Sequence, residues 1–393
     1  MRDVLYLAWR YIAYHRIKTA ILVTAIALIV FLPVGLNVLV SQSAAEMTAR
    51  AENTPLLVGA SGSALELVLS SLYFESAPPP AIGYDEVDRI AASGLADPLP
   101  LHVRFSARGH PIVGTVLEYF DARGLRVAEG RRFAMIGECV IGAAVAERLG
   151  LAPGSSLVSS PGSVFDLGGV YPLKMNVVGV LERSFTADDQ AVFVDVKTTW
   201  IVEGLGHGHQ DLTRADAAAD VMARTDTVVT AKGSVRQYNE ITAENVESFH
   251  FHGDPSGYPV TAIVVMPLDS KSGTILMGRY EGDDLRSQIV KPAAVIDRLL
   301  ATVFTVQSFV LAAVAMVAAA TLATAALVFL LSYRLRRREL QTLVKIGGSR
   351  AAVGTLLVAE MVFVIVVSVA VAGGLTAITG RFGSAMIRTM IAS

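Results

Sequence analysis

The sequence predicts an α-helical membrane protein with three transmembrane helices, the second of them a long stalk, and an α+β extracytoplasmic domain. The first observation is composition: 53% of the 393 residues are hydrophobic and 17% are charged, whereas about 25% of a soluble globular chain is charged. The second is three apolar runs, at residues 19–40, 299–332 and 351–375, and a bilayer crossing takes roughly 20 residues. The third is the long stretch before the second run, where β-branched segments alternate with helical patterns.

Residues 1–17 predict an amphipathic helix lying along the cytoplasmic face of the membrane. Leu5, Ala8 and Ile12 recur at helical spacing, and Trp9 and Tyr14 are aromatic residues suited to the headgroup zone. The same pattern also fits a plain extension of the first transmembrane helix, so both interpretations stay open.

Residues 18–40 predict the first transmembrane helix. The alternative is a secretory signal, with SQSAA behind it as the cleavage site. The apolar part of such a signal usually has about 7–15 residues, and this run is longer. We therefore expect a retained span.

Basic residues predict the direction in which the chain crosses the membrane. Four precede the first apolar run and four follow the second: Arg2, Arg10, Arg16 and Lys18, then Arg334, Arg336, Arg337 and Arg338. Short loops rich in lysine and arginine stay in the cytoplasm. We therefore expect a cytoplasmic N-terminus and an external domain at residues 41–297.

The external domain shows both strand and helix signals. A strand over Cys139–Ile141 is followed by a helical pattern that Gly150 closes, and SLV, MNVVGVLER and AVFVDV favour further strands. We expect an α+β domain of two subdomains. Cys139 is the single cysteine, so it forms no intrachain disulfide and is expected in the core.

Residues 298–332 predict a stalk that continues into the second transmembrane helix. The apolar run would measure roughly 50 Å as a helix, against a hydrocarbon core of roughly 30 Å. Its middle, at residues 312–326, is rich in alanine and threonine, and such small residues let helices approach closely. A helix partner is expected, from this chain or from a second copy.

Residues 333–350 predict a basic cytoplasmic loop, and residues 351–375 predict the third transmembrane helix. Glu360 lies inside that helix, where an acid is by default a functional candidate. We favour a structural hydrogen bond to a neighbouring helix. Residues 376–393 are too short and too polar for another crossing, so we expect an extracytoplasmic tail.

Sequence motifs give no indication of catalysis. The chain contains no G-x-x-x-x-G-K-[ST] phosphate loop, no G-x-S-x-G nucleophile turn and no H-E-x-x-H helix. Its net charge of −2 gives no indication of nucleic-acid binding. We therefore expect no catalytic residue and no cofactor for catalysis in this chain.

Three stretches carry a family resemblance: RLRRRELQTLVKIGGSRAAVGTLLVAE, GTVLEYFDARGLRVAEGRRF followed by VIGAAVAERLGL, and MNVVGVLERSFTADDQAVFVDVKTTW. They resemble the FtsX-like permeases, the membrane subunits of ABC transporters that include the macrolide exporter and the lipoprotein-release permeases. Members of that family normally have four spans, and three are found here. The fourth helix is expected to be absent, truncated or supplied by a partner.

The resemblance implies a bacterial inner-membrane permease with a periplasmic domain, driven by a separate cytoplasmic ABC ATPase. Its implied partners are that ATPase, a second permease copy or a related permease, membrane lipid and a periplasmic protein. The residues expected to couple to the ATPase are Arg336, Arg337, Arg338, Glu339, Gln341, Lys345, Gly347 and Gly348. Two alternatives stay open: the arginines serve only as a topology signal, or the protein transmits a signal to an external partner without transporting anything.

Two histidine phrases in the external domain point to a metal site. HGHQD and HFHGD each place two histidines two residues apart, on one side of a strand. Neutral imidazole suits zinc, copper or nickel, so the phrases predict a zinc-like site and a metal-linked permease. The candidate ligands are His207, His209, Asp211, His250, His252 and Asp254. Solvated or structural histidines are the alternative.

Overall fold

The computed structural model describes residues 6, 9–10, 12–75, 77–160, 172–208, 221–224, 229–231, 239–281, 286–345 and 349–391. The chain divides into two compact units. We call Met1–Met47 with Leu299–Ser393 the membrane unit, and Thr48–Arg298 the external unit.

The α-helices of the described chain differ widely in length, from five residues to more than fifty. They are α1 (Arg16–Glu52), α2 (Ala64–Val68), α3 (Asp85–Ala92), α4 (Glu118–Arg123), α5 (Ala143–Leu149), α6 (Val196–Val202), α7 (Ser270–Gly278), α8 (Pro292–Lys345) and α9 (Arg350–Ile391). The short helix α2 continues into a π-helical turn, Leu69–Tyr73.

The strands belong to the external unit and are mostly short. They are β1 (Leu56–Ala60), β2 (Ile82–Gly83), β3 (Ala96–Ala107), β4 (His110–Thr115), β5 (Val127–Gly130), β6 (Glu138–Ile141), β7 (Ser156–Val158), β8 (Leu173–Leu181), β9 (Val192–Asp195), β10 (Gly206–Gly208), β11 (Val221–Arg224), β12 (Val229–Ala231), β13 (Asn239–Glu240), β14 (Phe249–Phe251), β15 (Pro259–Val260), β16 (Ala262–Pro267) and β17 (Ser287–Val290).

Three helices confirm the predicted membrane spans. Helix α1 and the segments Pro292–Arg338 and Val353–Gly383 are long and apolar enough to cross a bilayer. Helix α1 extends beyond the predicted end of the span at residue 40, because SQSAAEMTARAE contains no glycine or proline and favours a helix. Helix α9 likewise includes most of the segment interpreted as a tail. The hydropathy of the sequence indicates where a helix leaves the lipid. The helix propensity of the following residues decides where the helix itself ends.

The three long helices pack together inside the membrane unit. Leu22 and Ile26 of α1 form one apolar cluster with Ala325 of α8 and Val364 of α9. Ala325 belongs to the alanine-rich segment for which the sequence predicted a close helix partner. Within this cluster, that partner is another helix of the same chain.

Most external strands form one mixed sheet with the order β13-β8-β6-β9-β4-β3-β16-β1-β17, with β5 and β7 also pairing with β8. The predicted strands appear as β6, β7, β8 and β9, and Gly150 ends α5 with a φ of +64°. Cys139 is fully buried, as predicted.

Hydrophobic clusters of described residues pack on this sheet in the external unit. One includes Cys139 and Val192, and another includes Val58 and Trp200. The sequence suggested two subdomains, but the structure forms a single compact unit. The long strand β3 accounts for this, because it pairs with β16 through its first half and with β4 through its second half.

Candidate functional site

Three histidines meet on the two-stranded sheet formed by β10 and β14. The strands are antiparallel, and His207 lies directly opposite His250. Side chains two residues apart in extended chain share a face. His252, which follows β14, is therefore placed beside His250, and the two predicted phrases converge at these three residues.

Glycine and phenylalanine occupy the opposite face of the same ladder. Gly206 pairs with Phe251 and Gly208 with Phe249. A Cβ atom on Gly206 would lie 2.7 Å from Cδ1 of Phe251, and one on Gly208 would lie 2.6 Å from Cε2 of Phe249. The phenyl rings therefore cover the glycine backbone, and the histidines are left on the other face.

The three imidazoles are close enough to share one ion. One ligand atom from each lies within 4.8 Å of the others, and Nε2 of His207 is 3.4 Å from Nε2 of His252. His207 and His252 are exposed, and His250 is half-buried. A small ligand therefore has access from solvent.

A backbone contact selects the tautomer of His250. Its Nδ1 lies 3.1 Å from the carbonyl oxygen of Ser248. A carbonyl only accepts hydrogen bonds, so in this contact Nδ1 carries a proton and donates it. The hydroxyl of Tyr258 also donates to the carbonyl oxygen of His252 at 2.9 Å and holds the chain beyond β14.

Of the other candidate ligands, Asp254 is the one that the described part of the chain contains. His209 and Asp211 lie outside the described residues. The carboxylate of Asp254 accepts a hydrogen bond from the backbone N–H of Ser256 at 3.0 Å, which lowers the pKa of Asp254. Within the described chain, the group close enough to share an ion consists of the three histidines alone.

The predicted coupling loop is largely helical, because α8 continues to Lys345. The side chains of Arg337, Arg338, Gln341 and Lys345 are exposed. The side chain of Glu339 and both Gly347 and Gly348 lie outside the described part of the chain.

Arg336 is held within the membrane unit. Its Nη1 donates to both carboxylate oxygens of Glu360, at 3.0 and 3.1 Å. This confirms the hydrogen bond between neighbouring helices that the sequence predicted for Glu360. Arg336 thus joins α8 to α9, whereas the neighbouring arginines face outward.

A buried ion pair that sequence reasoning missed lies at the end of α1. Arg50 donates to the two carboxylate oxygens of Asp188, at 2.6 and 2.9 Å, and both side chains are less than 10% exposed. The hydroxyls of Tyr119 and Thr186 also donate to Asp188. Burial alone would raise the pKa of Asp188, but Arg50 outweighs it, and the pKa lies below the ordinary value.

Ion pairs hold the segment GRRF, which is one of the stretches that carry the family resemblance. Arg131 bonds to Glu138 at the start of β6, and Arg132 bonds to Asp121 in α4 at 2.7 Å. These contacts join the EYFD and GRRF segments to the sheet.

Comparison with known proteins identifies the family. Residues 19–238, more than half of the chain, match the family model described as the MacB-like periplasmic core domain. The chain is also similar to a solved structure, the extracellular domain of the noncanonic ABC-type transporter YknZ from Gram-positive bacteria. That likeness has 13% identity and a TM-score of 0.33, and covers 60% of this chain and 98% of the other. No curated protein matches the chain. The chain belongs to the FtsX-like family of ABC transporter permeases that carry a MacB-like periplasmic core domain.

Proposed function

We propose that this permease transmits ATP-driven motion from a separate cytoplasmic ABC ATPase to its external unit, for export or extraction of an envelope substrate. The N-terminus and residues 333–350 would be cytoplasmic, and the external unit would be periplasmic. Two permease copies, or this chain and a related permease, would act together in the membrane.

Helix continuity is the observation that carries the proposal. Helix α1 continues from Arg16 to Glu52 with Pro33 inside it, and α8 runs from Pro292 to Lys345. Residues 48–52 of α1 and 292–298 of α8 belong to the external unit. A helix is stiff along its axis, so a displacement at one end is felt at the other.

The end of α1 is firmly attached inside the external unit. Arg50 is paired with buried Asp188, and Arg123 of α4 donates to the hydroxyl of Thr54 at 2.7 Å. Removing one partner of a buried ion pair typically costs about 3–5 kcal/mol. Such an anchor favours rigid transmission, in which motion of α1 carries the packed core with it.

The last turns of α8 have the properties of a docking surface. Arg337, Arg338 and Lys345 give it exposed positive charge, which suits acidic groups on an ATPase or anionic lipid. The Arg336–Glu360 pair attaches this part of α8 to α9. Force applied to the exposed turns would therefore move two spanning helices together.

Reconstitution tests the proposal. The full chain in nanodiscs is mixed in turn with each ABC ATPase of the source genome that has no spanning segment of its own, and ATP hydrolysis is measured. We expect one of them to hydrolyse ATP faster with the permease. We expect the variant Arg337→Glu/Arg338→Glu to lose most of that stimulation.

Lys271→Glu is the matched control, since Lys271 is an exposed basic residue of the external unit. This variant should stimulate like the unaltered chain. The proposal is wrong if no ATPase responds, or if both charge reversals have equal effects.

A further inference from the structure

We propose that His207, His250 and His252 form a binding site for a divalent transition metal, with Zn²⁺ the preferred ion. The site lies on the histidine face of β10 and β14 in the external unit. It is independent of coupling to an ATPase.

The distance between two ligand atoms fits a shared ion. Zinc–nitrogen bonds measure about 2.0–2.1 Å in tetrahedral sites, so two bound nitrogens lie about 3.3–3.4 Å apart. The two Nε2 atoms of His207 and His252 are 3.4 Å apart. The contact is a long hydrogen bond between two ring nitrogens, and the same separation suits two ligands of one metal.

The backbone contact of His250 is also typical of a metal ligand. Metal-bound histidines almost always donate their other ring N–H to a carbonyl or carboxylate, which directs the free lone pair at the ion. His250 has such an acceptor in the carbonyl of Ser248, 3.1 Å from Nδ1. Ser248 is therefore placed to act as the outer-shell partner of this ligand.

The layer behind the histidines is aromatic and packs against further aromatic rings. Phe251 packs against Trp200 and Tyr258, with ring centroids 6.2 and 6.0 Å apart. Trp200 in turn donates from Nε1 to the carbonyl of Pro259 at 2.8 Å. The strand that carries His250 is thus attached to the core, and binding would require little rearrangement of the backbone.

The donor set decides the class of ion. Three neutral imidazoles suit zinc, copper and nickel, whereas magnesium and calcium prefer oxygen ligands. Three protein ligands leave a tetrahedral ion with one open position, as in zinc sites that bind water or a further ligand. The exposure of His207 and His252 leaves that position open to solvent or to a ligand atom of a bound partner.

Metal titration of the full chain is the direct test. The protein is purified in detergent, stripped with EDTA and titrated with ZnCl₂ by calorimetry, and bound metal is counted by mass spectrometry. We expect one zinc per chain, no binding of MgCl₂, and nitrogen ligands in the X-ray absorption spectrum. Single changes of His207, His250 or His252 to Ala should each weaken zinc binding at least about 10-fold, since losing even an outer-shell partner commonly costs that much.

His15→Ala is the matched control, because it removes a histidine from the membrane unit. It should leave the zinc affinity unchanged. The unfolding temperature of each variant, measured without metal, shows whether that variant folds. If an alanine variant does not fold, His252→Asn is used as the milder change. Absence of zinc binding by the unaltered chain would overturn the proposal, as would equal affinity in the His252→Asn variant. Neither result depends on ATPase stimulation, so this proposal and the proposed function can fail separately.

Discussion

Arg50 and Asp188 show how strongly one buried contact can constrain this protein. Both side chains lie out of water, and the guanidinium meets the carboxylate through two parallel hydrogen bonds. A charge left alone in such a place is costly to desolvate, so each residue depends on the other. The exposed pair of Arg132 and Asp121 has similar geometry but remains in contact with water.

The Arg50→Met variant should therefore lose about 3–5 kcal/mol of unfolding free energy, because the charge of Asp188 stays buried without its partner. Trp200 is one of two tryptophans, so its fluorescence in a Trp9→Phe background follows unfolding of the external unit. Arg132→Met is the control and should cost far less, because its ion pair stays in contact with water. Similar losses in both variants would contradict this account.

The same pair predicts sensitivity to acid. The pKa of Asp188 in the folded protein lies below its ordinary value of 3.8, so the unfolded chain binds the proton first as the pH falls. The stabilisation is complete above that value and is lost as the pH drops through the folded pKa.

We expect the unfolding free energy to decline as the pH falls below the ordinary aspartate value of 3.8, and the decline to be shallower in Arg50→Met/Asp188→Leu. Denaturant titrations at a series of pH values measure the unfolding free energy of both proteins. If it fell equally steeply with pH in both, Asp188 would not be the group that causes the sensitivity to acid.

The β10–β14 ladder shows how strand pairing builds a site from separate parts of the chain. The facing sequences are Gly-His-Gly and Phe-His-Phe. Pairing puts both central histidines on one face and lets the two phenyl rings cover the glycines on the other. Neither strand alone would gather the ligands, because each brings only part of the histidine set.

Gly206→Ala should weaken zinc binding without removing a ligand. Its Cβ would lie 2.7 Å from the ring of Phe251, so the ring or the strand must shift and the histidines move apart. We expect an affinity loss of about 10-fold, measured by zinc titration. Gly257→Ala is the control, because nothing lies within 4 Å of a Cβ built there. An unchanged affinity in Gly206→Ala would show that the phenyl layer does not position the site.

The proposed function depends on the direction in which the chain crosses the membrane. Helices α1 and α8 each contribute residues to the membrane unit and to the external unit. Coupling between an ATPase and an external domain requires that the exposed end of α8 and the external sheet lie on opposite sides of the bilayer.

Single cysteines test that arrangement, since the native Cys139 is buried and should react little. Thr274→Cys in α7 and Thr342→Cys in α8 place a thiol at exposed positions. We expect an impermeant maleimide to label position 274 in cells whose outer envelope is opened, and position 342 only after the inner membrane is permeabilised. The reverse pattern would invert the proposed orientation.

Much of this protein follows from local sequence signals. Three apolar runs become the spanning helices, because hydropathy is a property of consecutive residues. Gly150 ends α5, because a glycine in the left-handed conformation stops a helix at its own position. The end of α1 at Glu52 was missed, since hydropathy reports the edge of lipid and carries no information on where a helix stops.

What the sequence determined was the set of spans, the strands near Cys139, and the family. Tertiary structure decided which distant residues meet: Arg50 with Asp188, His207 with His250, and Arg336 with Glu360. The reason is physical. A helix or strand is selected by neighbours in the chain, whereas an ion pair or a ligand set depends on strand register and on burial, which only the folded chain defines.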